Sequence, residues 1–462
     1  MLIKGAQIDR GGRKDIRVTD GLISEIGELQ PHADFEVVID ARGNALLPGL
    51  HDHHLHLLAY AASLESVRCG PPSVMTANDL ATALQARENA NRGSWIRGIG
   101  YHSSVAGDID RHWLDKVVSE SPVRIQERSG RLWILNSCAL DLIAPEGESP
   151  LERAAGRLTG RLYNGDVWLR SRVGKTSAAV RNASQYLLSR GVTGITDTTP
   201  SNGNLEFELF EMAQADGDLT QDVLMMGGAS LDGLLSGRNL RVGAQKIHLH
   251  DADLPVLADV CHEIQRSHKA GRPVAIRCVT LAELVFALSA YEEGGVISGD
   301  RIEHASVTPT ELLPLIARLG LTVVTQPNFI MERGDRYLED VDLPDRPYLY
   351  RQRAFLEAAI PLAGGTDAPF GDPDPWQAML ASVTRRTRLG ALVGEEEALT
   401  PEEALGLFCG HPDDPGRRQR RIRVGERADL CLLDRTWQIA CLDLGQVRIE
   451  MTFKDGRIAW RR

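Results

Sequence analysis

Short apolar segments alternate with amphipathic segments of helical period over most of the chain. Eight apolar segments are strand candidates: residues 45–56, 191–198, 222–228, 244–250, 273–279, 300–306, 321–327 and 361–369. Segments with apolar residues at three-to-four spacing lie between them, among them LAELVFALSAYEEGG and TELLPLIARLG. Alternating strands and helices favour a parallel sheet, and eight strands suit a closed barrel. The sequence therefore predicts an α/β fold of the (β/α)8 TIM-barrel class.

Both ends of the chain have a different pattern, in which apolar and polar residues alternate singly. LIKGAQI and DIRVTDG near the start, and RADLCLLD and GRIAWRR near the end, are typical of short antiparallel strands. A single hairpin is only marginally stable in water. We therefore expect residues 1–46 and 415–462 to meet in one small composite β-sandwich domain, with the barrel domain at 47–414 inserted between them.

The gap between the first two barrel strands is far longer than one helix. Residues 57–190 are therefore predicted to be an insertion after barrel strand 1. Such an insertion belongs at the C-terminal mouth of a barrel, where active sites lie, and we expect it to form a lid.

Charge and cysteine usage exclude several classes of partner. Lys and Arg total 52 against 63 Asp and Glu, for a formal net charge of -11, so nucleic acid is not an expected partner. The sequence contains no apolar run of about 18 residues, so no membrane span is predicted. The seven cysteines are scattered without a CxxC pair, and the N-terminus has no signal-peptide pattern, so we expect a cytoplasmic protein.

Four of the 13 histidines fall in the six residues HDHHLH at the end of the first predicted strand. Side chains alternate across a strand, so His54 and His56 share one face with Asp52, and in a barrel that face is the interior. Two neighbouring imidazoles there favour a divalent metal site. His51 and His53 point the other way, and for them a place in the core is the better interpretation.

Later strands carry polar residues where a purely structural barrel prefers Val, Ile or Leu. Lys246 lies on the fourth predicted strand, His304 on the sixth and Asp367 on the eighth. A lysine inside an apolar strand is costly unless it is paired, ligated or chemically modified. Together the three residues favour a metal site over a structural one.

The segments PGLHDHHLH, RIEHA and GGTDAP resemble motifs of the amidohydrolase superfamily, and WIRGIGY, RLWILNSCAL and GERADLCLLD resemble its branch of N-substituted formamide deformylases. The resemblance implies that His54, His56 and His304 bind metal. It implies that Asp367 binds metal and transfers the proton, and that Lys246 occupies a position that is a carboxylated bridging ligand in some members. It also implies a homo-oligomer.

One position departs from the superfamily pattern. The fifth strand normally supplies a histidine, but here VAIR places Arg277 there, and a guanidinium cannot donate a lone pair to a metal. We therefore expect one ion, held by His54, His56 and Asp367, with His304 either completing the site or orienting substrate. Arg277 would supply fixed positive charge near the carbonyl or a substrate carboxylate.

Two alternatives to the single-ion site stay open at this point. His248 or His250, beyond Lys246 on the same strand face, could rebuild a second metal site. Alternatively, the missing histidine could mark a scaffold that has lost its metal.

The expected function is that of a metal-dependent amidohydrolase acting on a small-molecule substrate. The bond cleaved would be the carbon–nitrogen bond of an amide, formamide, carbamate, thiocarbamate or cyclic amide. Zinc is the expected ion, with cobalt, manganese or iron as alternatives. A deaminase on the same barrel is the rival enzyme.

Overall fold

The computed structural model describes residues 1–8, 11–32, 36–71, 73–143, 150–173 and 180–462. Three gaps, at 72, 144–149 and 174–179, fall in the predicted insertion, and that part of the prediction lies outside the described residues. None of the helices in the described ranges is long and apolar enough to cross a bilayer. The chain forms two compact units: Met1–Leu57 with Arg181–Arg462, and Leu58–Val180.

The N-terminal strands form a four-stranded sheet in the order β3-β2-β1-β4. Strand β1 pairs antiparallel with β2, while β4 joins it in parallel. Two further strands follow: β5 pairs in a different sheet, and β6 is the first strand of the barrel. The bounds are β1 Leu2–Gln7, β2 Arg13–Thr19, β3 Leu22–Gly27, β4 Val38–Asp40, β5 Leu46–Pro48 and β6 Leu50–Leu55.

The second unit, Leu58–Val180, contains a six-stranded sheet in the order β11-β12-β10-β9-β8-β7. Its strands are β7 Val67–Arg68, β8 Ile96–Tyr101, β9 Val123–Glu127, β10 Leu132–Leu135, β11 Leu151–Ala154 and β12 Arg157–Tyr163. The helices of this segment are α1 Leu57–Leu64, α2 Ala77–Ala90, α3 Ser103–Ala106, α4 Arg111–Val117, α5 Ser137–Ile143 and α6 Asp166–Val173. The predicted insertion at 57–190 is longer than this unit, because the next helix belongs to the barrel unit.

The barrel is an eight-stranded parallel sheet in the order β19-β18-β17-β16-β15-β14-β13-β6. Its remaining strands are β13 Val192–Asp197, β14 Asp222–Gly227, β15 Leu240–His248, β16 Val274–Cys278, β17 Arg301–His304, β18 Thr322–Thr325 and β19 Leu362–Gly364. The helices from here to residue 406 are α7 Val180–Ser189, α8 Asn204–Ala215, α9 Leu257–Lys269, α10 Leu281–Gly294, α11 Leu313–Leu319, α12 Asn328–Asp340, α13 Arg353–Glu357, α14 Pro375–Thr384 and α15 Pro401–Gly406. Each predicted strand segment overlaps one of these eight strands, so the prediction of a TIM barrel is confirmed.

Backbone hydrogen bonds join the first and eighth barrel strands. The Asp367 amide donates to the His54 carbonyl at 2.7 Å, and the His56 amide donates to the Ala368 carbonyl at 2.8 Å. The approach is so close that a Cβ on Gly365 would lie 2.4 Å from the Cβ of His54. Only glycine fits there, which explains one glycine of the GGTD segment.

The C-terminal strands complete the small β-domain. A hairpin of β20 Gly410–His411 and β21 Asp414–Gln419 is followed by β22 Leu430–Leu433, α16 Trp437–Ala440, β23 Ile449–Lys454 and β24 Arg457–Arg461. The second sheet has the order β24-β23-β22-β5, so a strand from the N-terminal part lies at its edge. One apolar core joins both chain ends: Ile3 and Ile16 share it with Leu430 and Phe453. β5, at the edge of this second sheet, extends to Pro48, just beyond the border predicted at residue 46.

Candidate metal centre

Three side chains converge where the first and eighth barrel strands end. His54 is the penultimate residue of β6, His56 follows that strand, and Asp367 follows β19. One possible ligand atom from each lies within 4.8 Å of the others. Asp367 Oδ1 is 3.5 Å from His54 Nε2 and 3.2 Å from His56 Nε2. We call these three residues the ligand triad.

The donor atoms of the ligand triad fit a divalent metal ion. Asp367 Oδ1 is buried and has no hydrogen-bond partner among the described residues. Ligand atoms about 2.0–2.1 Å from a tetrahedral zinc ion are ~3.4 Å apart, close to both nitrogen–oxygen distances. The other ring nitrogens are also engaged, because His54 Nδ1 contacts Glu303 Oε2 at 2.5 Å and His56 Nδ1 contacts Thr199 Oγ1 at 2.9 Å. Metal-binding histidines are held in this way by partners on the second ring nitrogen.

Glu303 is a functional candidate that the sequence analysis missed. Its carboxylate is fully buried and contacts His54, the Arg301 guanidinium through Nε at 2.5 Å, and Lys246 Nζ at 3.8 Å. Burial alone would raise the pKa of Glu303, but Arg301, Lys246 and His54 outweigh it and hold that pKa well below its ordinary value. The sequence signal that could have identified Glu303 is the presence of an acidic residue inside the buried RIEH strand.

Lys246 lies in the barrel interior but is not one of the triad. Its side chain is 2% exposed, and Nζ has no hydrogen-bond partner among the described residues. Burial lowers the pKa of Lys246 to about 8, although the neighbouring Glu303 opposes the change. The structure therefore places Lys246 beside the carboxylate that holds His54.

His304 lies next to the triad without completing it. Its ring centroid is 4.9 Å from that of His54, and Nδ1 is buried without a hydrogen-bond partner among the described residues. Burial, and secondarily the neighbouring His54, lower the pKa of His304 well below its ordinary value, so the ring is neutral. His304 and Asp367 both have left-handed backbone, with φ of 70° and 55°. Such strain in non-glycine residues is common at functional sites.

Asp52 braces the strand that carries the triad histidines. Its carboxylate accepts hydrogen bonds from the His54 amide at 3.0 Å, the Thr366 amide at 3.1 Å and the Thr366 hydroxyl at 2.5 Å. Burial raises the pKa of Asp52 to about 6, although the bonds from Thr366 oppose it. Asp52 thus connects the β6 strand to the segment that carries Asp367.

The two remaining histidines of HDHHLH are buried on the other side of the strand. His51 Nε2 lies 2.9 Å from Thr196 Oγ1, and the His51 and His53 rings are 4.5 Å apart. Burial lowers the pKa of both well below the ordinary value. Neither belongs to the ligand triad, as expected of core residues.

Arg277 lies on β16 between two strands of the site. Its Cα pairs with His248 on β15 and with Glu303 on β17. The guanidinium Nη1 donates to the Leu249 carbonyl at 3.2 Å and lies 3.5 Å from Glu283 Oε2. Cys278 faces the opposite way, with its Sγ 3.7 Å from the Glu283 carbonyl.

The residues proposed for a second metal site are not part of the ligand cluster. His248 and His250 are both exposed, and their rings stack at a centroid distance of 4.5 Å. Among the described residues, the group of possible ligands contains only the triad.

Comparison with known proteins agrees with the barrel fold. The sequence model of the amidohydrolase family matches residues 37–459, nearly the whole chain. The chain belongs to the amidohydrolase family. It is therefore a hydrolase that acts on carbon–nitrogen bonds, and both the family and the His-His-Asp cluster support a bound divalent metal.

Individual relatives are distant but extend over nearly the full length. The chain is 26% identical to N-substituted formamide deformylase of Arthrobacter pascens, over 98% of this chain and 94% of that protein. Its fold resembles metal-dependent hydrolases from Pyrococcus horikoshii and Pyrococcus furiosus. The first has a TM-score of 0.76 at 20% identity, covering 99% of this chain and 98% of that one. The second has a TM-score of 0.72 at 22% identity, covering 93% and 96%.

Proposed function

We propose that this amidohydrolase binds one zinc ion through His54, His56 and Asp367 and hydrolyses a small amide. The observation that carries the proposal is the arrangement of the triad around Asp367 Oδ1, whose two imidazole contacts lack hydrogen-bond geometry. Nitrogen and oxygen donors of this kind suit zinc. A bound ion would supply Lewis acidity for a carbonyl oxygen and lower the pKa of a water molecule.

Asp367 is the proposed general base and acid. Burial would raise the pKa of Asp367, but the imidazoles of His54 and His56 outweigh it and keep the carboxylate ionised. It accepts a proton from the attacking water and then delivers it to the leaving nitrogen as the carbon–nitrogen bond breaks. The products are a carboxylic acid and an amine.

His54 and His304 have different proposed roles. Glu303 accepts the Nδ1 proton of His54, which leaves Nε2 as the nitrogen facing Asp367. His304 is neutral and has an unpartnered Nδ1, so it orients the substrate by a hydrogen bond.

Amides, formamides, carbamates, thiocarbamates and cyclic amides are the proposed substrate range. N-substituted formamides come first, because the Arthrobacter pascens relative is a deformylase of such compounds.

The test is a panel of these compounds, with release of amine as the measurement. Asp367→Asn should reduce kcat/KM by about 10³-fold or more while the circular-dichroism spectrum stays unchanged. The matched control is Asp372→Asn, an exposed aspartate on the same segment, which should retain activity. Ammonia release from aminopurines or aminopyrimidines without amide cleavage would instead assign a deaminase. Absence of both turnover and metal would leave a scaffold.

A further inference from the structure

Arg277 places a permanent positive charge at the C-terminal end of β16. Its side chain is 25% exposed, so it is neither a solvated surface group nor a sealed core group. Arginine stays charged under all relevant conditions and presents five N–H donors in a planar fork. Its backbone is next to that of Glu303, which holds His54.

The guanidinium of Arg277 is held through one nitrogen, Nη1. Nη1 donates to the Leu249 carbonyl and approaches Glu283, and no other described acidic side chain lies within ion-pair distance of Arg277. Leu249 follows β15, and Glu283 is in the first turn of α10. The charged head is therefore held against the wall between the fourth and fifth barrel strands, rather than against the ligand triad.

Glu283 neutralises this charge only in part. Its carboxylate already accepts hydrogen bonds from the backbone amides of Val279 at 2.6 Å, Thr280 at 3.3 Å and Asp251 at 3.0 Å. It thus caps α10 and fixes the neighbouring loop. Arg277 Nε and Nη2 make no hydrogen bond with a described residue, so they remain available to a ligand.

Glu283 is the one described carboxylate that pairs with Arg277, while Glu303 pairs with Lys246 and Arg301. The carboxylate of Asp367 belongs to the ligand triad. Because the guanidinium keeps two nitrogens without a described partner, a ligand carboxylate can pair with it in addition to Glu283.

One imidazole lies on the strand next to Arg277. The Cα of His248 pairs with that of Arg277, and the His248 ring stacks on the ring of His250. The His248 ring adds an N–H donor at this end of the barrel.

We infer that Arg277 binds a carboxylate of the substrate at a point remote from the bond that is cleaved. The inference rests on the proposed function and narrows it to acidic amides, in which an acyl or formyl nitrogen is linked to a carboxylate. The anchored guanidinium offers two N–H donors in one plane, the arrangement that pairs with a carboxylate. Its contacts among the described residues are with Leu249 and Glu283 and with no member of the triad, so we assign it to a remote group instead of the scissile carbonyl.

The test compares N-formylglycine with N-formylglycinamide, which differ only in carboxylate against carboxamide. The wild-type zinc-loaded enzyme should have a higher kcat/KM for the acid. Arg277→Gln should reduce that preference by about 10-fold or more, the effect of losing a hydrogen bond between charged groups, mainly through KM. Arg277→Lys should retain part of the preference, because it keeps the charge without the fork.

Arg241→Gln is the matched control. Arg241 lies near the N-terminal end of β15, is 32% exposed and pairs with Asp413 at 2.6 Å. Its loss removes the same charge at the other end of the barrel strands and should leave the preference for the acid unchanged.

Other outcomes overturn the inference and separate it from the proposed function. An unchanged preference in Arg277→Gln contradicts it while the hydrolase stands. An equal loss of kcat for both compounds would place Arg277 at the scissile carbonyl. If neither compound is hydrolysed, the proposed function fails for formamides, and calorimetric binding of the two compounds decides the inference. Equal or absent binding of the acid and the amide then overturns it.

Discussion

Two buried lysines with almost equal exposure have very different surroundings. Lys246 in the barrel is 2% exposed, and Lys454 in the small β-domain is 5% exposed. Lys454 Nζ is 3.0 Å from Asp222, 3.2 Å from Asp429 and 3.3 Å from Asp455. Lys246 Nζ has one carboxylate at 3.8 Å and no hydrogen bond to a described residue.

The comparison distinguishes a cluster of charged residues that stabilises the fold from one that belongs to the candidate site. Buried charges usually have their hydrogen bonds satisfied, because an unpaired one costs several kcal/mol. The Lys454 cluster, with Asp222, Asp429 and Asp455, follows that rule and ties the small β-domain to the start of β14. The Glu303 cluster, with Lys246, Arg301 and His54, does not follow it. The Lys246 ammonium has N–H groups without a described hydrogen-bond acceptor next to the ligand triad, as expected of a site arranged around a ligand.

The largest expected effect is that of Glu303→Gln. It removes the only described carboxylate that contacts both Lys246 and Arg301, and should cost about 3–5 kcal/mol of unfolding free energy. It should also weaken zinc binding by about 10–100-fold, because a neutral amide oxygen is a weaker acceptor for His54 Nδ1 than the carboxylate that orients its ring. Urea unfolding and competition with a metal-binding dye measure the two effects.

Asp429→Asn is the control for Glu303→Gln. Lys454 keeps Asp222 and Asp455, so the loss of stability should be smaller and zinc affinity unchanged. Weaker zinc binding in Asp429→Asn would contradict the separation of the two clusters.

A direct comparison of the lysines follows from their pairing. Lys454→Met should lose about 2 kcal/mol, because the three carboxylates lose one of the cations that they share and keep Arg427. Lys246→Met should change stability by less than about 1 kcal/mol, because Arg301 and His54 still pair with Glu303 and the cost of burying an ammonium disappears. Denaturant midpoints of the two variants test this, and the reverse order of stability would break the comparison.

The smallest expected effect on stability is that of breaking a partly exposed ion pair, Arg353 with Glu403. Glu403 accepts two hydrogen bonds from Arg353, at 2.7 and 2.6 Å, and these bonds lower the pKa of Glu403 to about 2. The side chains are 27% and 34% exposed, so Glu403→Gln should cost no more than about 1 kcal/mol at pH 7.

The pH dependence of that pair has a definite sign. A lowered folded-state pKa gives stability that is present above the unfolded value of 4.5 and is lost as the pH falls towards 2. The difference between wild type and Glu403→Gln in thermal unfolding should therefore disappear over that interval. A difference that persists at pH 2 would show that the loss arises from packing.

Much of the architecture could be predicted from the sequence. The eight strands follow from apolar segments spaced by helical ones, and the side-chain alternation along HDHHLH separates His54 and His56 from His51 and His53. Those patterns are local in the sequence. The polar residues within them lie at one end of the barrel.

Pairings between strands could not be predicted in the same way. Glu303 holds His54 across the barrel, and no local pattern encodes that distance. The same holds for Arg277, whose contact with Glu283 depends on how α10 begins.

The most direct test of the account is the number of ions per chain. Protein saturated with zinc, freed of excess metal and measured by elemental mass spectrometry should hold one ion per chain. His54→Asn should abolish that ion, since His54 is one of three ligands. Two ions in the wild type would contradict the single-ion site, and none after saturation would contradict a metal-dependent mechanism at the triad.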